Sequence, residues 1–316
     1  MGESSVELLR LRVFTSVAEL GSITRTANLL KTTQSAVSRQ ISALEADLGG
    51  RLFRRTGRGV TLTDLGRSVE PRIRAVLVEL DRIASEAKAA AGIASGDVHV
   101  GMLATIAPRI SAELLRRVRL RHPKVRLHLA DGSSGQLEEQ LFGGRLDMAM
   151  LFRYGGDERD EDEALGVLQS YLVGHAGDPL TAAPTIEFRQ LDGVHLAVPA
   201  APNGIRLMLE SLARQYDIEL TVAAEVGSIP IQLALVADSL EPIRVVGSYY
   251  AVADAIASGR MQASQIVSPA IERKLVLTTH RRRPSSLAVR EVSRIVVELA
   301  RELLADAEQI SPIAQV

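Results

Sequence analysis

The sequence predicts an α/β chain in three parts: an N-terminal winged helix-turn-helix, a long linker helix, and a C-terminal module of two α/β subdomains. Three observations carry that expectation. Three short helical patterns and a glycine-centred hairpin fill the first 63 residues. One unbroken helical pattern follows, and beyond residue 96 short apolar strands alternate with helices. The expected boundaries are 1–63, 64–91 and 92–316, the last divided into one subdomain at about 97–165 with 271–316 and another at about 166–270.

The first helix is expected from Val6 to Leu20, where Leu11, Phe14, Val17 and Ala18 share a face and Gly21 stops the chain. Thr24 is the expected cap of a second helix ending at Leu30. After a turn at Lys31 and Thr32, Thr33 is placed to cap a third helix over Gln34–Leu48, closed by Gly49 and Gly50. Val37, Ile41, Leu44 and Leu48 form its apolar stripe. LFRR and VTL then flank TGRG, where Gly57 and Gly59 would supply the positive φ angles of a tight hairpin. Thr63 is the expected cap of the long helix, which runs to about Ala91. Its Leu65, Val69, Ile73, Val76, Leu80, Ile83 and Ala87 recur at near-heptad spacing. Such a seam asks for a partner helix, or alternatively for the helix's own domain. AAAGIASG (89–96) reads as a flexible linker.

Beyond it strands are expected at 98–103, 125–130 and 146–151, alternating with helices at 108–121 and 136–142. A second alternation places strands at 194–199, 219–226 and 243–247 around helices at 205–216 and 229–237. A strand at 274–279 and a helix over 286–304 close the chain. This order predicts parallel βαβ units with a crevice between the two subdomains.

Apolar residues make up 46% and charged residues 24% of the chain, a globular balance, and the net charge of −1 means that any basic surface is local. The first 63 residues carry nine basic and five acidic side chains, an excess suited to a polyanion. With no cysteine, thiolate metal sites and cysteine nucleophiles are excluded. The six histidines show no HExxH spacing, GSSG at 132–135 is no nucleophile elbow, and no Walker-type loop is present, so an enzyme is not expected. No cofactor is expected. The N-terminus lacks the apolar core of a signal peptide and charges interrupt every apolar run, which points to a cytoplasmic chain without membrane spans. A plain solute-binding protein would account for the two α/β subdomains but not for the first 90 residues.

On the third helix Gln34, Ser35, Ser38, Arg39 and Ser42 lie opposite the apolar stripe. A face of short hydrogen-bonding groups and one arginine can enter the major groove, where glutamine suits adenine and arginine suits guanine. The alternative is plain solvent exposure, which the succession of helix-turn-helix, arginine-bearing hairpin and seam argues against. Arg54, Arg55 and Arg58 at the hairpin suit phosphates.

Residues 8–67 resemble the N-terminal domain of the LysR-type transcriptional regulators, in GSITRTANLL, TQSAVSRQISALEADLGGRLFRR and GRGVTLTDLG. The resemblance implies recognition-helix contacts at Thr33, Gln34, Ser35, Ser38 and Arg39, and wing contacts at Arg54, Arg55, Thr56 and Arg58. Ser35 departs from the pattern, since many members carry proline there. RHPKVRLHL, GGRLDMAM, DPL at 178–180 and the RRRP stretch extend the likeness into the family's effector domain, of periplasmic-binding-protein-like architecture. Double-stranded operator DNA, a small, anionic effector and a second copy of the chain in a dimer or tetramer are the implied partners, with RNA polymerase a further candidate.

The loops after the first two C-terminal strands offer Thr105, Ser133 and Ser134 beside helix starts, a setting that favours anions. The resemblance makes Thr105 and Ser134 effector contacts, with Ser133, Arg153, Arg206 and Ser228 as neighbours. Helix capping is an equally open role for Thr105 and Ser134, and surface exposure for Arg153 and Arg206. VADSLEPIRVVG (236–247) departs from the family, lacking the glycine-containing turn that borders the crevice, and leaves open whether a small effector is used.

Overall fold

The computed structural model describes residues 7–57, 59–89, 93–156, 159–201, 203–279 and 285–310. The chain divides into two compact units: Met1–Gly92 with Gly143–Arg145, and Ile93–Phe142 with Leu146–Val316.

In the first unit helices α1 (Leu8–Leu20), α2 (Ile23–Leu29) and α3 (Gln34–Asp47) precede a hairpin of β1 (Phe53–Thr56) and β2 (Gly59–Leu62) and then α4 (Asp64–Ala89). Val13, Phe14, Val17, Ala27, Val37, Ile41, Leu44 and Leu52 are buried together, so each helix contributes its apolar stripe to one core. Gly21 ends α1 in the left-handed region at φ 60°. Its carbonyl accepts a hydrogen bond from Val60 N at 3.0 Å, tying the wing to the α1–α2 corner. A side chain at Gly59 (φ 144°) would begin 2.3 Å from that carbonyl oxygen, which is why the hairpin returns through glycine. The buried Glu45 carboxylate accepts from Leu52 N (2.8 Å) and Phe53 N (3.3 Å), fixing the chain between α3 and the wing.

Thr63 Oγ1 accepts from Gly66 N at 3.0 Å and so caps α4, as its sequence position predicts. The seam on α4 divides. Ile73 is buried against the winged-helix core, and Val69 and Leu77 pack against it. Val76, Leu80 and Ile83 remain 48%, 40% and 56% exposed. The helix's own domain therefore takes the first turns of the seam, and a four-three-spaced apolar row is left exposed. The Ala87 side chain lies outside what is described.

In the second unit β3 (Gly96–Leu103), β4 (Val125–Gly132) and β5 (Met148–Arg153) are parallel, in the order β4-β3-β5, joined by α5 (Ala107–Arg121) and α6 (Ser134–Phe142). The sheet continues antiparallel through β12 (Glu272–Thr279) to β6 (Asp162–His175). β6 is the pivot of the unit. Its first half pairs with β12, and its second half with β10 (Val245–Ser248) and β11 (Met261–Val267), the latter continuing to β7 (Thr185–Glu187). A separate parallel pair, β8 (His195–Val198) and β9 (Thr221–Glu225), flanks α7 (Gly204–Tyr216). α8 (Ile229–Asp238), α9 (Tyr249–Ala257) and α10 (Leu287–Ile310) complete the unit.

Apolar clusters lie on both faces of the sheet. On β5, Met148, Met150 and Phe152 pack with α5 and α10, while Ala149 and Leu151 pack with α6. On β6, Leu172 faces the α7 side and Tyr171 and Val173 face α8 and α9. A strand buried on both faces reads as a continuous apolar run rather than an alternation, as MAMLF does.

Several sequence expectations are corrected. Ser22, not Thr24, caps α2, its hydroxyl accepting from Arg25 N at 3.3 Å. Leu48 follows the end of α3 and is exposed, and of the two hairpin glycines only Gly59 takes a positive φ. The expected linker is partly structured: Ala94 is buried in the sheet core and Gly96 opens β3, while residues 90–92 lie outside the described residues. β6, β7, α9 and β11 were not expected, and the sheet is mixed rather than two parallel units. Arg58 and the RRRP stretch (281–284) also lie outside the described residues.

Candidate nucleic-acid interface and effector site

Burial of Val37, Ile41 and Leu44 fixes the rotation of α3 about its axis. Gln34, Ser35, Arg39 and Ser42 are consequently exposed, with Ser38 half-buried between them. Thr33 Oγ1 accepts from Ala36 N at 3.2 Å and shares a 3.0 Å hydrogen bond with Ser35 Oγ, so the cap and the first side chain of the face are positioned together. Arg54, Arg55 and Thr56 are exposed along β1. Arg54 Nε donates to Thr61 Oγ1 across the hairpin (3.2 Å), and Thr56 Oγ1 donates to the Gly59 carbonyl (3.2 Å). The structure thus places eight of the nine expected nucleic-acid residues outside the core of one small domain; the ninth, Arg58, is not described.

The residues expected around an effector are distributed differently. Ser134 Oγ accepts from Phe152 N at 3.0 Å, linking the start of α6 to β5. Ser133 exchanges hydrogen bonds with Gln136 across the same helix start, its N–H and hydroxyl both donating to Gln136 Oε1 at 3.0 Å. The Thr105 hydroxyl is buried and has no hydrogen-bond partner among the described residues. Arg153 is not a surface residue. Only 3% of its side chain is exposed, and it donates to both oxygens of Asp162 (2.9 and 3.2 Å) and to Glu138 (2.8 Å). Burial would push the Asp162 pKa up, but the Arg153 guanidinium outweighs it and holds that carboxyl below its ordinary value. Arg206 lies in the other half of the unit, hydrogen-bonded to Glu210, in an open cleft of about 480 Å³ between α7 and the β8–β9 pair. Ser228 stands at the N-terminus of α8 without capping it through its side chain.

Sequence reasoning passed over Arg273 on β12. It is 5% exposed, donates from Nε to Ser170 Oγ at 2.8 Å, and lies over the Phe152 ring at 5.6 Å from its centroid. Burial pushes its pKa below the ordinary guanidinium value. Its place at the edge of the motif ERKLVLTT carried no signal, because a charged residue at a strand's start reads as exposed. No group of histidine and carboxylate side chains suited to a metal ion occurs among the described residues. No described helix is long and apolar enough to cross a membrane.

The sequence model of the bacterial regulatory helix-turn-helix proteins of the lysR family matches residues 8–67, and that of the LysR substrate binding domain matches residues 91–301. The nitrogen assimilation regulatory protein nac of Escherichia coli (strain K12) is 28% identical over 232 residues, covering 73% of this chain and 75% of the relative. An uncharacterized HTH-type transcriptional regulator, YvbU of Bacillus subtilis (strain 168), is 26% identical over 306 residues, covering 94% and 98%. Among solved structures, full-length OxyR from Pseudomonas aeruginosa matches with a TM-score of 0.70 at 20% identity, covering 93% of this chain and 94% of that one. CbnR in complex with its target DNA matches with a TM-score of 0.51 at 22% identity, covering 93% and 99%. The exposed polar helix lies on the winged domain that the first family model matches, and the mixed sheet lies in the stretch that the second matches, so that the two together span most of the chain: it belongs to the LysR family of DNA-binding transcriptional regulators.

Proposed function

We propose that this regulator reads its operator through the exposed face of α3, with Gln34 and Arg39 at base edges and Ser35, Ser38 and Ser42 at bases or phosphates. The carrying observation is the outward row on α3 opposite a fully buried stripe, presented by a cap that orders its first turn. Glutamine and arginine supply the bidentate pairings that the major groove rewards, and serine is short enough to let the helix approach. Arg54, Arg55, Thr56 and Arg58 hold phosphates beside the groove. Thr33 orders the first turn and adds a hydroxyl at the same end.

The leftover row of Val76, Leu80 and Ile83 supports pairing of two copies through α4, giving a dimer, or a tetramer of dimers, on a pseudo-palindromic site in the cytoplasm. The domain limits that fit this reading are 1–63 for DNA, 64–91 for pairing and 92–316 for sensing. A small anionic effector bound between the halves of the second unit would favour one arrangement of them over another and so shift the DNA contacts of the oligomer. Thr105, with its unpartnered hydroxyl, is the strongest of the expected effector contacts, and Ser133, Ser134, Arg206 and Ser228 accompany it. Arg153, already committed to two carboxylates, supports the site from behind.

Footprinting on the chromosome of origin, followed by a salt titration on the recovered duplex, tests this. The expected result is a protected pseudo-palindrome whose affinity falls steeply with salt, as phosphate contacts release counterions. Affinity without salt dependence, or no protected site, would reject it.

A further inference from the structure

Two arginines on the unit's strands or their approaches are held by matched carboxylates: the buried Arg153 by Asp162 and Glu138, and the half-buried Arg244 by the buried Asp178. Arg273 is buried without one. Its recorded partners among the described residues are neutral: the Ser170 hydroxyl at 2.8 Å, the Val246 carbonyl at a long 3.4 Å, and the Phe152 ring. A guanidinium does not shed its proton in a protein, and these contacts leave most of its five N–H groups without an acceptor. A buried charge is tolerated when it is paired, and neutral acceptors do not replace a counter-ion.

The surroundings of Arg273 are those of an anion site. Ser170 stands directly opposite Ser248 in the β6–β10 ladder, so their side chains share a face. Ser248 is 1% exposed and its hydroxyl has no hydrogen-bond partner among the described residues. It also opens α9 without capping it through its side chain, which leaves the first N–H groups of that nine-residue helix for another acceptor. Tyr154 packs in the apolar clusters of both halves, its ring 6.4 Å from that of Phe152, over which the same guanidinium lies. A cation, an idle hydroxyl and a helix start therefore gather where β6 passes from one half of the sheet to the other.

We propose that Arg273 is the anchor for the carboxylate of a small organic acid, with the Ser248 hydroxyl as a second donor. The inference rests on the reading of the second unit as an effector domain and adds an anchor residue and a ligand class to it. A single guanidinium, with no second cation bonded beside it among the described residues, neutralises a monoanion and leaves a phosphate dianion with excess buried charge. The two parallel N–H groups of the fork fit the two oxygens of a carboxylate. The acid reaches this depth when the halves part along β6, so that binding and the arrangement of the halves are coupled.

Thermal unfolding of the full chain in millimolar sodium acetate, pyruvate or benzoate, against sodium chloride of equal ionic strength, is the test. At least one of the three acids is expected to raise the wild-type melting temperature by at least about 2 °C. Arg273→Met, relieved of an unpaired charge, is expected to melt no lower than wild type in chloride and to lose the shift. Ser248→Ala retains the anchor and shrinks the shift. A wild-type chain indifferent to all three acids overturns the proposal, as does an Arg273→Met chain that melts lower yet keeps the full shift. Duplex binding by the same wild-type preparation checks the parent reading separately: a chain that binds duplex but ignores the three acids overturns the anchor alone.

Discussion

Replacing Asp162 by asparagine tests whether Arg153 is a structural clasp or an effector contact. The Asp162 carboxylate accepts Arg153 Nε and Nη2 at 2.9 and 3.2 Å and the Arg159 amide at 3.1 Å, and both side chains of the pair are only 3% exposed. Asparagine keeps the volume but turns one acceptor into a donor facing a donor, and leaves Arg153 with Glu138, which Arg159 also engages. Breaking a buried, hydrogen-bonded ion pair costs roughly 3–5 kcal/mol. At the lower figure, and at about 2–4 °C per kcal/mol for a unit of this size, the melting temperature should fall by about 6–12 °C. Calorimetry of wild type and Asp162→Asn reads this directly. A fall of less than about 1 °C would refute the reasoning, since the energy of the pair would then not be that of a buried clasp.

Three further outcomes are expected. Asp162 and Asp178 are both held below their ordinary carboxylate pKa by arginines that outweigh burial. Their stabilisation is therefore full above the unfolded carboxylate range and is lost as pH falls through the depressed values, so the melting temperature should be level from about pH 7 to 5 and drop below about pH 4; a curve level down to pH 3 would contradict this. Ile83→Glu together with Leu80→Glu, on the exposed part of the α4 seam, should leave the fold intact but shift the chain to monomer in analytical ultracentrifugation, whereas an unchanged assembly would place the pairing elsewhere. Thr105→Val removes a buried hydroxyl without a partner among the described residues and should hold or raise stability by up to about 1 kcal/mol while blunting the response to effector; a loss of several kcal/mol would show that the hydroxyl is bonded.

Much of the first unit was legible because its elements are short, locally capped and separated by glycine. Thr33 and Thr63 cap where their positions predict, and Val37, Ile41 and Leu44 face inward at the spacing a helix imposes. Leu48 broke the stripe because α3 ends one residue before it, an end-effect that periodicity does not resolve. The α4 seam was visible as a row, but only packing could divide it between Ile73, claimed by the domain, and Leu80 and Ile83, left over. In the second unit β6 escaped notice because DEALGVLQSYLVGH mixes an exposed edge, a glycine and a two-sided apolar run, and so shows neither alternation nor a helical period. Arg273 escaped for a physical reason of the same kind: its burial comes from β6, β10 and Phe152, all distant in sequence, and no local pattern encodes it. The expected effector residues Thr105 and Ser134 were found by their position after strands, whereas the buried state of Arg153 depends on Asp162 and Glu138, which lie on neighbouring elements, β6 and α6, rather than within its own strand.

In vitro selection from a random duplex library, run in parallel with the wild-type chain and with Arg39→Ala, bears most directly on the claim that the α3 face reads sequence. The wild-type chain should enrich a two-fold related motif, and the variant should enrich the same motif with one base pair per half-site relaxed, at a cost of about 1–3 kcal/mol on the original site. Recovery of an identical motif with identical affinity would contradict the account, because Arg39 stands in the middle of the only face that α3 turns outward.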